Sequence, residues 1–417
     1  MNRIILIGNG FDLAHKLPTS FQNFLDNYWK KLIDQIKLTQ PYSVFQNDDL
    51  FIEKAPEIWE EGTTFETFQN TFKNYTHKII YKNKFLKTIS NQSLVNNWVD
   101  IENEYYILLK RSFQEEAPNY NISDLNKDFH KIKDALENYI ADIVNNLEFI
   151  DQSIKSQIGY KIYSRFSYVD FTENAINKRA QIEFDILSKE IQKLEEDKIS
   201  PNQLSEGRQN LINRLRGSEE IYLNLRKLLL SQTAPNYFDL YPENVLFLNF
   251  NYTKVDKFYQ PSSQFDNYEN INPQPKSIQI HGSVYKQDYN PIIFGFGDEI
   301  DEYYKSIENL NDNRYLEHIK SIKYLETDNY KRLLDFINSD EYQIFIFGHS
   351  CGNSDRTLLN TLFEHKNCVS IKPFYHKKGE NQDNYGELTM NITRNFNDKA
   401  SLRDKVVNKR FCEPLLK

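Results

Sequence analysis

Four short stretches of this chain carry residue types that could do chemistry, and each follows an apolar run. Gly8-Asn9-Gly10-Phe11-Asp12 comes after Arg3-Ile4-Ile5-Leu6-Ile7. Two glycines at this spacing let backbone N–H groups approach a ligand closely, because no Cβ intervenes. Asn249-Phe250-Asn251-Tyr252-Thr253 ends a second run. An amide such as Asn251 can hold a water or hydroxyl without ionising; equally, it can cap a helix that begins near Thr253. His281-Gly282-Ser283 ends a third run. An imidazole there could exchange a proton near neutral pH, or it could be a hydrogen-bonded loop histidine with no further role. Gly348-His349-Ser350 ends the fourth. With Cys351 and Gly352 it also matches the Gly-x-Ser-x-Gly nucleophile elbow, but too few residues follow Ser350 for a well-spaced acid and histidine. Asp12 is a poor phosphate partner, since like charges repel. It could accept a ribose hydroxyl or cap the segment after it.

The elements that must position these residues read as an α/β fold. The aliphatic run Ile4–Ile7 has the texture of a strand buried on both faces of a parallel sheet. After Leu17-Pro18, Thr19 or Ser20 is a plausible N-cap for a helix carrying Phe21, Phe24, Leu25, Tyr28, Trp29, Leu32, Ile33 and Ile36 on one face. Strand, glycine turn and helix form the first half of a nucleotide-binding unit, with partial positive charge at the helix start to attract phosphate. The third glycine and the spaced acid of a full dinucleotide fingerprint are missing. Residues 40–56 read as loop. From there to about 232, glycine and proline become rare and helical periodicity dominates, with a helical hairpin over 185–230. Strand texture returns at 244–250, 277–280, 291–294, 342–347 and 367–371. In open α/β sheets ligands bind beyond the carboxyl ends of strands, where the four stretches would meet. The economical architecture is a Rossmann-like, mostly parallel sheet from residues 1–40 and 235–417, interrupted by a mainly helical insertion at 45–235.

Composition narrows the function classes. Net charge is −8 with acids and bases interspersed, so a nucleic-acid partner is not indicated. Hydrophobic content is only 39%, but 27 Tyr and 29 Phe can still build a core. The three cysteines are odd in number and have no metal-ligand spacing, so neither a disulfide scaffold nor a metal site is expected. No run reaches membrane-spanning length, and the chain opens directly into a core strand, so a cytoplasmic protein is expected.

Longer motifs resemble a known family. Ile-Gly-Asn-Gly-Phe-Asp-Leu-Ala-His-x-Leu-Pro-Thr-Ser at 7–20, Phe-Asn-Tyr-Thr at 250–253, Ile-His-Gly-Ser at 280–283 and Gly-His-Ser-Cys-Gly-Asn-Ser-Asp at 348–355 are similar to the AbiH family of bacteriophage abortive-infection proteins. The run Trp98-Val99-Asp100-Ile101-Glu102 looks like a family element to which no chemistry is assigned. The motif order also resembles the wider Sir2-like group of NAD-binding domains. That resemblance implies cofactor binding by Gly8, Asn9, Gly10, Phe11 and Asp12, with phosphates at Gly8 and Gly10. It implies a second cofactor stretch at Gly348, His349 and Ser350, which meets the adenosine ribose. Asn251 would handle the nicotinamide ribose and His281 would be the catalytic base. The four-cysteine zinc module and the Gly-Ala-Gly-Ile-Ser and Asp-Phe-Arg signatures of the deacylases are missing, so the resemblance implies an NAD glycohydrolase rather than a deacetylase. It further implies activation by a phage-derived trigger, with a homo-oligomer or the helical insertion as the gate. A non-catalytic nucleotide sensor is the alternative, and a serine hydrolase using Ser350 a more distant one.

Overall fold

A computed structural model describes residues 1–57, 65–74, 79–91, 98–114, 120–147, 149–260, 274–285, 287, 289–380 and 382–417. Eight strands occur among them: β1 (Asn2–Ile7), β2 (Phe45–Gln46), β3 (Leu50–Ile52), β4 (Ile79–Tyr81), β5 (Val245–Asn249), β6 (Lys276–Gln279), β7 (Tyr342–Phe347) and β8 (Cys368–Phe374). Five form one parallel sheet in the order β6-β5-β1-β7-β8. Strand β1 lies at its centre with all six residues buried. Branched aliphatics suit this position because a central parallel strand has no solvent face. Ile4, Leu6, Leu246, Leu248, Ile344 and Ile346 pack on one side against the helices Asn329–Ser339, Arg356–Glu364 and Tyr385–Arg394. Ile5, Ile7, Phe247, Phe345 and Phe347 pack on the other side against Ile154, Ile158 and Ile162 of the helix Gln152–Ile162.

Ser20 caps the helix Phe21–Lys37, accepting from Asn23 N–H at 3.1 Å. The apolar stripe of that helix is buried, but against the insertion rather than the parallel sheet. Phe21, Phe24, Trp29, Leu32 and Ile36 share a core with Leu50, Phe68, Phe85, Tyr105 and Phe129. The core clusters therefore run across the boundaries expected near residues 40 and 235: Phe21–Lys37 joins the insertion's core, and Gln152–Ile162 covers the sheet.

Three expectations are corrected. The first glycine turn, expected to run through a short connection to the long helix, is itself the start of a six-residue helix, Asn9–Ala14, while the long helix begins after Ser20 as expected. The expected loop at 40–56 contains β2 and β3, which join β4 in a small antiparallel sheet. In the run 291–294, Ile292, Ile293 and Phe294 are buried and Pro291 is exposed, and none of them lies in a strand. Ile293 packs with the sheet core, while Ile292 and Phe294 serve the insertion: the Phe294 ring stacks on Phe129 at 5.0 Å, and just beyond the run Phe296 stacks on Tyr106 at 3.9 Å. Among the described residues no helix is long and apolar enough to cross a membrane.

Candidate active site

A cleft of about 970 Å³ opens at the carboxyl ends of the parallel strands. From the first turn, Gly8, Asn9, Gly10 and Asp12 line it. Asn251 lines it from beyond β5, His281 from beyond β6, and Gly348, His349 and Ser350 from beyond β7. Phe11 does not. Its ring is fully buried, 5.6 Å from Tyr259 and 6.3 Å from Phe347. A phenyl side chain after the turn is more useful to the core than to a polar cleft.

The glycines are explained by contact between two loops. Gly8 N–H donates to Phe347 O at 3.1 Å, and Gly10 N–H to Gly348 O at 2.8 Å. A Cβ on Gly348, whose φ is +69°, would lie 2.2 Å from Phe11 N. A Cβ on Gly8 would lie 2.4 Å from the Cα of His349. The amides expected to cradle phosphate are thus already bonded to the β7 loop.

Asn251 is held from two sides. Its N–H donates to Asn249 Oδ1 at 2.8 Å and its Nδ2 donates to Gly8 O at 3.0 Å. Its Oδ1 has no partner among the described residues, and an amide oxygen in a cleft wall can accept from a water or hydroxyl. Below it, the Asp12 carboxylate accepts from Thr253 Oγ1 at 2.8 Å. Burial pushes the Asp12 carboxyl up to about 7, against the donors Thr253 and Asn251.

The histidines meet on one carboxylate. His281 Nε2 lies 3.1 Å from Asp355 Oδ1 and 3.1 Å from Tyr324 Oη. His349 Nε2 lies 3.6 Å from Asp355 Oδ2, and its Nδ1 accepts from Cys351 N–H at 3.0 Å. His349 is thereby committed at Nδ1. His281 Nδ1 has no partner among the described residues. Burial and the Lys320 charge push the His281 imidazole down to about 4, so it is neutral at physiological pH.

Behind Asp355 lies a buried charge network that the sequence reading did not assemble. Lys320 is 1% exposed and bonds Asp355 Oδ1 at 2.8 Å and Glu102 Oε2 at 2.9 Å. Burial opposes ionisation of Asp355, but Lys320 and His281 outweigh it and hold its carboxyl well below the ordinary range. Asp355 closes the motif at 348–355, and Glu102 closes the run at 98–102. Glu102 was visible only as part of a motif without a role, and Asp355 only as a badly spaced acid for the serine-hydrolase alternative. Lys320 gave no signal, being one of many lysines in a charged segment.

The comparison with known families now has its geometry. A family model described as "Bacteriophage abortive infection AbiH" matches residues 4–376. The chain belongs to the AbiH family. No curated protein and no solved structure matches it. The AbiH match covers all five strands of the parallel sheet apart from Asn2 and Arg3, and all of the residues from Glu102 to Asp355 that meet at the cleft. Among the described residues the Ser350 side chain bonds no histidine. Ser350 is exposed, and the neighbouring His349 turns to Asp355 and Cys351 instead.

Proposed function

We propose that this AbiH protein acts in phage defence as an NAD glycohydrolase, with the strand-end cleft as its site. The observation that carries the reading is a pair of acceptors on the walls of one cleft, Asn251 Oδ1 and His281 Nδ1, neither of which has a partner among the described residues. Cleaving the nicotinamide–ribose bond develops an oxocarbenium-like cation. The cleft offers such a centre Asn251 Oδ1 and the Asp12 carboxyl, and the buried Lys320 on its wall is taken by two carboxylates. Asn251 would orient the attacking water or a ribose hydroxyl, and neutral His281 would accept its proton. Since the Gly8 and Gly10 amides are engaged, the pyrophosphate fits better against Lys377 and Lys378, which line the same cleft. Asn9 and Ser350 remain as polar contacts for a ribose.

Nicotinamide release by the purified protein tests this. Asn251→Ala and His281→Ala should each lose about 10²-fold or more in turnover, with unchanged circular dichroism and melting. Turnover unaffected by both substitutions would place the chemistry elsewhere. Tight NAD binding without turnover, under any activating condition, would convert the reading to a nucleotide sensor.

A further inference from the structure

His281 is surrounded by charges that serve no packing purpose. The groups facing it are Asp355, Lys320, His349 and Tyr324, with Glu102 behind Lys320. Burying an ammonium between two carboxylates is costly unless geometry and hydrogen bonding repay it. An apolar trio of similar volume would fill the same space.

The geometry explains the expense. Asp355 Oδ1 receives both the Lys320 ammonium and the His281 Nε2 edge. An ionised carboxylate beside Nε2 requires a proton on that nitrogen, so the neutral imidazole must carry its lone pair on Nδ1. Lys320 in turn is fixed by its backbone, which donates to Phe296 O at 2.9 Å, and by Glu102. Glu102 comes from the helix Trp98–Gln114, one turn from Tyr106, whose ring stacks on Phe296. We infer that Lys320 and Asp355 are positioning residues that fix the Nε2–H tautomer of His281, and that Glu102 is the insertion's hold on that arrangement.

The test reads the tautomer directly, by long-range 15N–1H correlation on histidine-labelled full-length protein. It needs no substrate, so it stands whether or not NAD is the ligand. Wild-type His281 is expected as the neutral Nε2–H form at pH 7. Lys320→Met should raise the His281 pKa by about one pH unit or more, because Asp355 then has only the imidazole for balance. Glu102→Gln leaves Lys320 facing one carboxylate and should leave the His281 pKa unchanged or lower it. A merely structural network would relax both variants alike toward the ordinary imidazole value. A wild-type Nδ1–H tautomer, or an upward shift in Glu102→Gln, overturns the inference, and both readings remain decisive if Lys320→Met does not fold. Where turnover is measurable, the acidic limb of the kcat/KM profile should follow the His281 pKa in each variant. That arm alone depends on His281 being the base.

Discussion

Asp12 is 1% exposed, and its carboxyl is raised from 3.8 to about 7 mainly by burial. The sign of its effect on stability follows from linkage. Between pH 4 and 7 the unfolded chain has released this proton and the folded chain still holds it, so stability contributed here falls as pH rises through that window. Asp12→Asn cannot ionise. It should therefore gain stability relative to wild type as pH increases from 5 to 8, by about 2.7 kcal/mol at most, since only the two units from pH 5 to 7 contribute. Chemical denaturation at several pH values checks this, and a gain independent of pH would refute it. Other single residues teach how far the sequence could be read. Asn251 and His281 stood out because each follows a strand and precedes a turn. Lys320 and Glu102 did not, because only tertiary packing distinguishes a buried ion from the many solvated ones around it.

At the scale of elements, the close approach of the first turn and the β7 loop organises the site. Gly348 has φ +69° and faces Phe11 N with no room for a Cβ. Gly348→Ala should cost about 1–3 kcal/mol or more, from backbone strain and from forcing the loops apart. Melting of the purified variant would show it, together with loss of ligand binding. A variant as stable as wild type would mean that the loops separate freely. The five parallel strands were legible because buried aliphatic runs ending in small polar residues have few other uses. The long helices were legible from their stripes. The run Pro291–Phe294 misled because an apolar segment can be buried by ring stacking as well as by strand pairing. Strands β2 to β4 were missed because pieces of two or three residues carry almost no periodicity.

At the scale of the whole molecule, the insertion and the sheet share one wall of the cleft, since Glu102 bonds Lys320, which in turn bonds Asp355. A trigger that moved the helix Trp98–Gln114 would act on His281 without entering the cleft. Cells carrying the intact gene should restrict a susceptible phage, whereas an Asn251→Ala copy expressed at the same level should not. Plaque counts across a phage panel measure this, and equal restriction by both copies would separate defence from the proposed chemistry. The topology has one more consequence, in the order of synthesis. Strand β1 pairs with β5 about 240 residues later and with β7 about 340 residues later. At ribosomal speeds of about 5–20 residues per second, β1 waits tens of seconds for its neighbours. Until Asp355 has emerged, His281 lacks the carboxylate that meets its Nε2. On the proposed function a truncated or stalled chain would therefore be inert, a safeguard built into translation itself.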